Sequence, residues 1–171
     1  ELSSDHEHLI ESATRQLHCV CHACAILFGH QSSQNYRRVP HRVEELRDFR
    51  LTDAEWSGLG IPIGLAFFMT SSETGRVMAI YPSPGGPIES LLRLDSWDDL
   101  GHNNPVLGEF EPDVEALLVN RIGDERSCFR APIDECYKLV GLMRRHWHGF
   151  SGGDEVWNHV GQFFAALRER S

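Results

Sequence analysis

Apolar side chains recur at intervals of three and four along the last third of the chain: Ile133, Cys136, Tyr137, Leu139, Val140, Met143 and Trp147. That spacing predicts an amphipathic helix over 132–147 with proline in its first turn. Arg144, Arg145 and His146 fall in the last turn, where cations face the carbonyl end of the helix, and Gly149 is a natural stop. A second helix is predicted from about Asp154, burying Val156, Trp157, Val160, Phe163, Phe164 and Leu167. The short linker Gly149–Gly153 makes the two helices neighbours.

Upstream the pattern changes. Two mostly apolar runs, Pro62–Thr70 and Arg76–Tyr81, are joined by the small polar residues Ser71–Gly75, which predicts an antiparallel hairpin near the centre of a sheet. Ile88–Leu94 and Val114–Ile122 are further strand candidates. Thr52-Asp53-Ala54-Glu55 has the form of a capping box, so a short helix through Trp56 to about Leu59 is expected. Ser96–Leu100 reads as a second short helix, ended by His102-Asn103-Asn104-Pro105. Pro82-Ser83-Pro84-Gly85-Gly86-Pro87 is expected to be irregular: an ordinary long turn, or a semi-rigid loop suited to docking a partner. Towards the start, Thr14–Val20 reads as a short strand and Ala25–Phe28 as a buried helix or strand. Gln31–Asn35 reads as a loop, and Tyr36–Val39 as an extended stretch limited by Pro40. The sum is an α+β fold: an antiparallel sheet covered by a C-terminal helix pair, with a Cys/His-rich element over residues 1–30 attached to an α+β domain over 31–171.

Composition narrows the function. The chain has 171 residues, 41 % apolar and 24 % charged, which suits one globular domain with a real core. Its net charge of −9 repels phosphate backbones, so a nucleic-acid partner is not expected. The longest apolar run, Ile61–Met69, contains a proline and is too short to span a membrane. The start carries no signal-peptide pattern, and Glu1 is not an initiator residue, so upstream sequence is expected. Five cysteines in this spacing do not form a disulfide framework; a reducing cytoplasm is the expected location.

The chemistry concentrates in His18-Cys19-Val20-Cys21-His22-Ala23-Cys24. Zinc takes four thiolate or imidazole ligands in a tetrahedron, and C-x₂-C lets one tight turn aim Cys21 and Cys24 at the same ion. Cys19, two residues before Cys21, points to the same side if both lie on a strand. His6 and His8 are the nearest further donors, with His18 and His22 beside them. Iron is chemically possible on the same soft donors. Three other readings stand beside metal binding: small buried thiols, a redox pair, and a nucleophilic Cys21 activated by His18 or His22.

The stretches Asp5-His6-Glu7-His8-Leu9-Ile10, HCVCHACAILF, IPIGLAFF, YPSPGGPIESLL, EPDVEALLV, PIDECYKLVG and HWHGFSGG run in order over nearly the whole chain. Together they resemble an uncharacterised bacterial family whose members are typically encoded beside high-affinity nickel–iron uptake hydrogenases of the actinobacterial type. Members of that family usually carry another C-x₂-C just upstream of the position equivalent to Glu1. The resemblance therefore implies a zinc-ribbon ligand set of which Cys21 and Cys24 are one half. It also implies a protein partner, a hydrogenase subunit or maturation factor.

Elsewhere, Cys136 on the helix stripe and Cys128 beside Phe129 read as core thiols. His146 and His148 read as helix-end electrostatics. No phosphate loop, nucleophile elbow, H-E-x-x-H or dinucleotide fingerprint is present. The expectation is a non-enzymatic metal-binding accessory protein with Cys19, Cys21, Cys24, His6 and His8 as candidate ligands and zinc as the metal. An iron-based electron-transfer module on the same cysteines and a small thiol-dependent enzyme are the alternatives.

Overall fold

In the computed structural model, residues 6–29, 35–90, 94–149 and 151–171 are described. Six strands form the main antiparallel sheet: β4 (Glu44–Glu45), β5 (Leu65–Thr70), β6 (Val77–Ser83), β7 (Gly86–Ser90), β8 (Glu115–Asn120) and β9 (Ser127–Pro132). Their spatial order is β4-β9-β8-β5-β6-β7. The expected hairpin is β5–β6, with Phe67 opposite Ile80 and Thr70 opposite Val77. A smaller sheet of order β2-β1-β3 comprises β1 (Glu7–Glu11), β2 (Gln16–Val20) and β3 (Tyr36–Arg38), with α1 (His22–Phe28) between β2 and β3.

Both faces of the main sheet are covered, which explains why β5 and β8 read as continuous apolar runs. On one face Phe67, Ile80, Leu118 and Phe129 meet α4 (Ile133–His146) and α5 (Gly153–Arg170) through Cys136, Leu139, Met143, Val160 and Phe164. On the other, Ala66, Phe68, Ala79, Leu117 and Val119 lie under α2 (Asp53–Gly58) and α3 (Leu94–Asn103). There Phe68 contacts Trp56 edge-on and stacks on Trp97. The expectation of a helix pair on one face is therefore extended: short helices close the second face too. Thr52 and Glu55 make the expected capping box at the start of α2. Cys136 is buried in the first core and Cys128 packs at the second. Burial pushes the Cys128 thiol up to about 12 and the Cys136 thiol well above its ordinary value.

The Pro-Gly segment corrects an expectation. Pro82 and Ser83 finish β6, Gly86 and Pro87 begin β7, and only Pro84 and Gly85 make the turn. Pro82 stands opposite Pro87, one step from the closing Ser83–Gly86 pair. Antiparallel alternation there asks for no N–H between β6 and β7; Pro87 faces the open edge of β7, and Pro82 lies beyond Ile80, where the pairing of β6 with β5 ends, so neither proline breaks the ladder. The Ser83 hydroxyl donates to the Gly86 carbonyl and accepts from the Gly85 N–H, which tightens the turn. The expected strand Ile88–Leu94 is seen as β7 up to Ser90; residues 91–93 lie outside the described residues, and α3 begins at Leu94. Most of the expected loop Gln31–Asn35 and Phe150 of the helix linker also fall outside them.

One charge pair lies inside the sheet. Arg130 on β9 holds Glu115 on β8 through two hydrogen bonds of 2.8 and 2.5 Å, with side chains 7 % and 4 % exposed. Removing one member strands the other charge in a dry site. Glu115→Gln is therefore expected to cost about 3 kcal/mol in urea unfolding, and the double change Glu115→Leu/Arg130→Met clearly less than the sum of its parts.

Candidate metal centre

Strand β1 is paired on both sides, and its alternation sorts the N-terminal donors. His8 stands directly opposite Cys19, and Ile10 opposite Leu17, across the β1–β2 ladder. Ile10 is fully buried and Leu17 packs beside it in the main core, so this face of the small sheet looks toward the body of the molecule. Ligand atoms of His6, His8 and Cys19 all lie within 4.8 Å of one another. The His6 and His8 rings meet edge-on at 4.8 Å between centroids. His8 Nδ1 is 2.8 Å from Asp134 Oδ2 in the first turn of α4. A neutral His8 that donates through Nδ1 turns the Nε2 lone pair outward, the arrangement that orients histidines for metal binding.

The other two candidate cysteines lie outside that 4.8 Å group. Strand β2 ends at Val20, so Cys21 takes its direction from the start of α1, where it is the capping residue. The backbone N–H of Cys24, then the Cys24 thiol, favour the charged form of Cys21 and lower its pKa. Hydrogen bonding to Cys21 raises that of Cys24. The pair is thus an asymmetric dithiol with Cys21 the more acidic partner. Neither histidine named as its activator contributes. His22 Nδ1 faces Glu7 at 2.8 Å. The His18 ring rests edge-on against Tyr36 with Nε2 buried and unpartnered.

The opposite face of β1 carries Glu7 and Leu9. Leu9 and Ala25 are buried where α1 crosses the small sheet. Gly29 ends that helix so close to the sheet that a Cβ there would sit 2.8 Å from the Arg38 Cβ. Glu7 gathers Arg38 at 2.9 and 2.6 Å, His22 at 2.8 Å and His41 at 3.2 Å. It thereby ties β1 to β3 and to the first residue of α1. A cleft of about 430 Å³ opens there between His6, Glu7, His22 and His41. Chiefly through Arg38, and then His22, the Glu7 carboxyl is held down at about 2.

A family model described as "Family of unknown function (DUF5947)" matches residues 1–171. The chain belongs to this family. No match was found among curated proteins or among solved structures. The family assignment thus agrees with the resemblance as far as an uncharacterised family, and it carries no activity. Among the described residues no helix is long and apolar enough to cross a membrane.

The sequence reading missed Asp134 and Glu7. Asp134 lies 126 residues from His8, and nothing local announces the contact. Glu7 had a visible signal: between His6 and His8 on a strand, it must face the other way from them.

Two outcomes are expected. Because Glu7 titrates at about 2 when folded against an ordinary 4.5, its contribution is complete above pH 4.5 and fades as pH falls toward 2. With its partners partly solvent-exposed, that contribution is on the order of 1–2 kcal/mol. Acid titration of metal-free stability should therefore flatten over this window in Glu7→Gln. In timed alkylation read by mass spectrometry, Cys21 should react before Cys24, with Cys136 unreactive until the chain unfolds.

Proposed function

We propose that this chain is a non-enzymatic metal-binding accessory protein whose N-terminal sheet holds a zinc ion. The observation that carries the reading is the convergence of His6, His8 and Cys19 with the second nitrogen of His8 anchored on Asp134. Two imidazoles and a thiolate are a zinc-type donor set that leaves a fourth position to water or a further donor. In the zinc-ribbon form of this reading, implied by the family resemblance, Cys21 and Cys24 instead make half of a four-cysteine set.

Bound metal would lock β1 to β2 and, through Asp134, press the small sheet onto α4; metal affinity would then add to folding energy in this corner. Beside it α1 presents Ile26, Leu27 and Phe28 at 45, 71 and 50 % exposure, an apolar ridge available to a protein partner. We assign that partner, on the strength of the resemblance alone, to the assembly, maturation or electron supply of a nickel–iron hydrogenase in the cytoplasm. A second reading rests on the asymmetric Cys21–Cys24 dithiol, whose acidic, exposed first thiol suits thiol-dependent chemistry.

Metal analysis of protein purified without chelators tests the centre. One zinc at this centre is expected, lost in His8→Ala and Cys19→Ala, and bound roughly 10- to 100-fold more weakly in Asp134→Asn with the fold intact. Iron with visible absorbance would move the assignment to electron transfer. Metal-free protein that takes up no zinc would end the reading, and a native pull-down without hydrogenase components would end the partner assignment.

A further inference from the structure

At the opposite end of α4 a second group of donors gathers around His146, which the sequence reading took for helix-end electrostatics. His146 is the last residue of α4, Glu155 lies in the first turn of α5, and His159 is one turn further along the same face. His146 Nδ1 is 3.0 Å from Glu155 Oε1, and His159 Nε2 is 3.8 Å from the same oxygen. The two imidazole rings lie 3.9 Å apart between centroids at 31°. One ligand atom from each of the three residues falls within 4.8 Å of the other two.

The scaffold under this group is stiff. His148 donates its backbone N–H to the Gly152 carbonyl at 3.2 Å, closing the connection between the helices. The Trp147 and Trp157 rings meet edge-on at 5.8 Å, and each indole N–H donates to a backbone carbonyl of that connection, Gly149 and Ser151 respectively. Gly152, at φ +85°, leaves no space for a side chain: a Cβ would lie 2.8 Å from Val156 Cγ1 and 3.0 Å from the Trp147 ring. The ends of both helices are therefore fixed relative to each other, and the three donors with them.

We infer that His146, Glu155 and His159 form a second metal site, specific for a divalent transition ion of the zinc type, that staples the end of α4 to the start of α5. Two imidazoles and one carboxylate are a common zinc donor set, and they leave a coordination position open to water. Ligand atoms around a tetrahedral zinc sit roughly 3.3 Å apart, so small side-chain rotations bring this group to that spacing. A charge pair alone explains why one histidine approaches Glu155. It does not call for a second imidazole brought to the same carboxylate oxygen with its ring 3.9 Å from the first at a 31° tilt. A shared cation gives all three donors one partner.

The site is independent of the N-terminal centre, so the test uses the full chain with that centre removed (His8→Ala/Cys19→Ala). Zinc titration with stoichiometry by elemental analysis should show one ion bound, and cobalt should give the visible spectrum of an imidazole–carboxylate site without thiolate charge transfer. Adding His159→Ala should weaken zinc binding roughly 100-fold, and Glu155→Gln should weaken it also, with circular dichroism unchanged in both. Zinc should raise the thermal midpoint of the chain with an intact second site and not of the His159→Ala form. Should the N-terminal variants themselves unfold, the same titration on the otherwise unaltered chain with and without His159→Ala must differ by one zinc. Equal zinc uptake with and without His159, or none in either, would overturn the inference and leave a charge pair only.

Discussion

Strand β1 serves two environments at once, and the N-terminal end of the molecule is organised by that alternation. Ile10 enters the main core while Leu9, one residue away, seals the contact with α1. A strand with both faces buried has no freedom of register, because a slip by one residue would exchange His8 with Glu7 and Ile10 with Leu9. The opposition of His8 and Cys19 follows directly from that register. So does the separation of the His6/His8/Cys19 face from the Glu7/Arg38/His22 face.

The electrostatics of the two faces differ for the same reason. On the α1 side a nearly buried carboxylate meets a guanidinium and two imidazoles, an arrangement that holds its charge and is structural in character. On the α4 side Asp134 takes one nitrogen of His8, and ligand atoms of His6, His8 and Cys19 lie within 4.8 Å of one another. The first is a charge network around Glu7; the second groups His6, His8 and Cys19 beside one carboxylate. The Cys21–Cys24 pair lies at the hinge between them, where β2 gives way to α1.

The body of the molecule supplies rigidity. Its central strands are apolar on both faces, its one pair of mutually buried charges among the described residues is matched by two hydrogen bonds, and its core thiols are raised by burial away from reactivity. What the body offers is anchorage: α4 provides Asp134 at its first turn to one candidate centre and His146 at its last residue to the other.

Periodicity alone determined α4, α5, the β5–β6 hairpin and the capping box of α2, because in each case neighbours within a few residues decide the conformation. It also placed Cys136 in the core, since a thiol on an apolar helical stripe has nowhere else to go. Short-range pattern failed at Pro82–Pro87, where the pairing phase, the edge position of β7 and the end of the β5–β6 pairing at Ile80, all properties of the assembled sheet, made two prolines harmless. The donors His6, His8 and Cys19 were legible as residues, but their convergence depends on strand pairing. Asp134 and the grouping of His146 with His159 depend on how α4 meets β1 and α5. Composition and local spacing thus supplied the chemistry available to this protein. Only tertiary packing decided which of those groups share a site, because contacts between residues far apart in sequence leave no periodic trace in it.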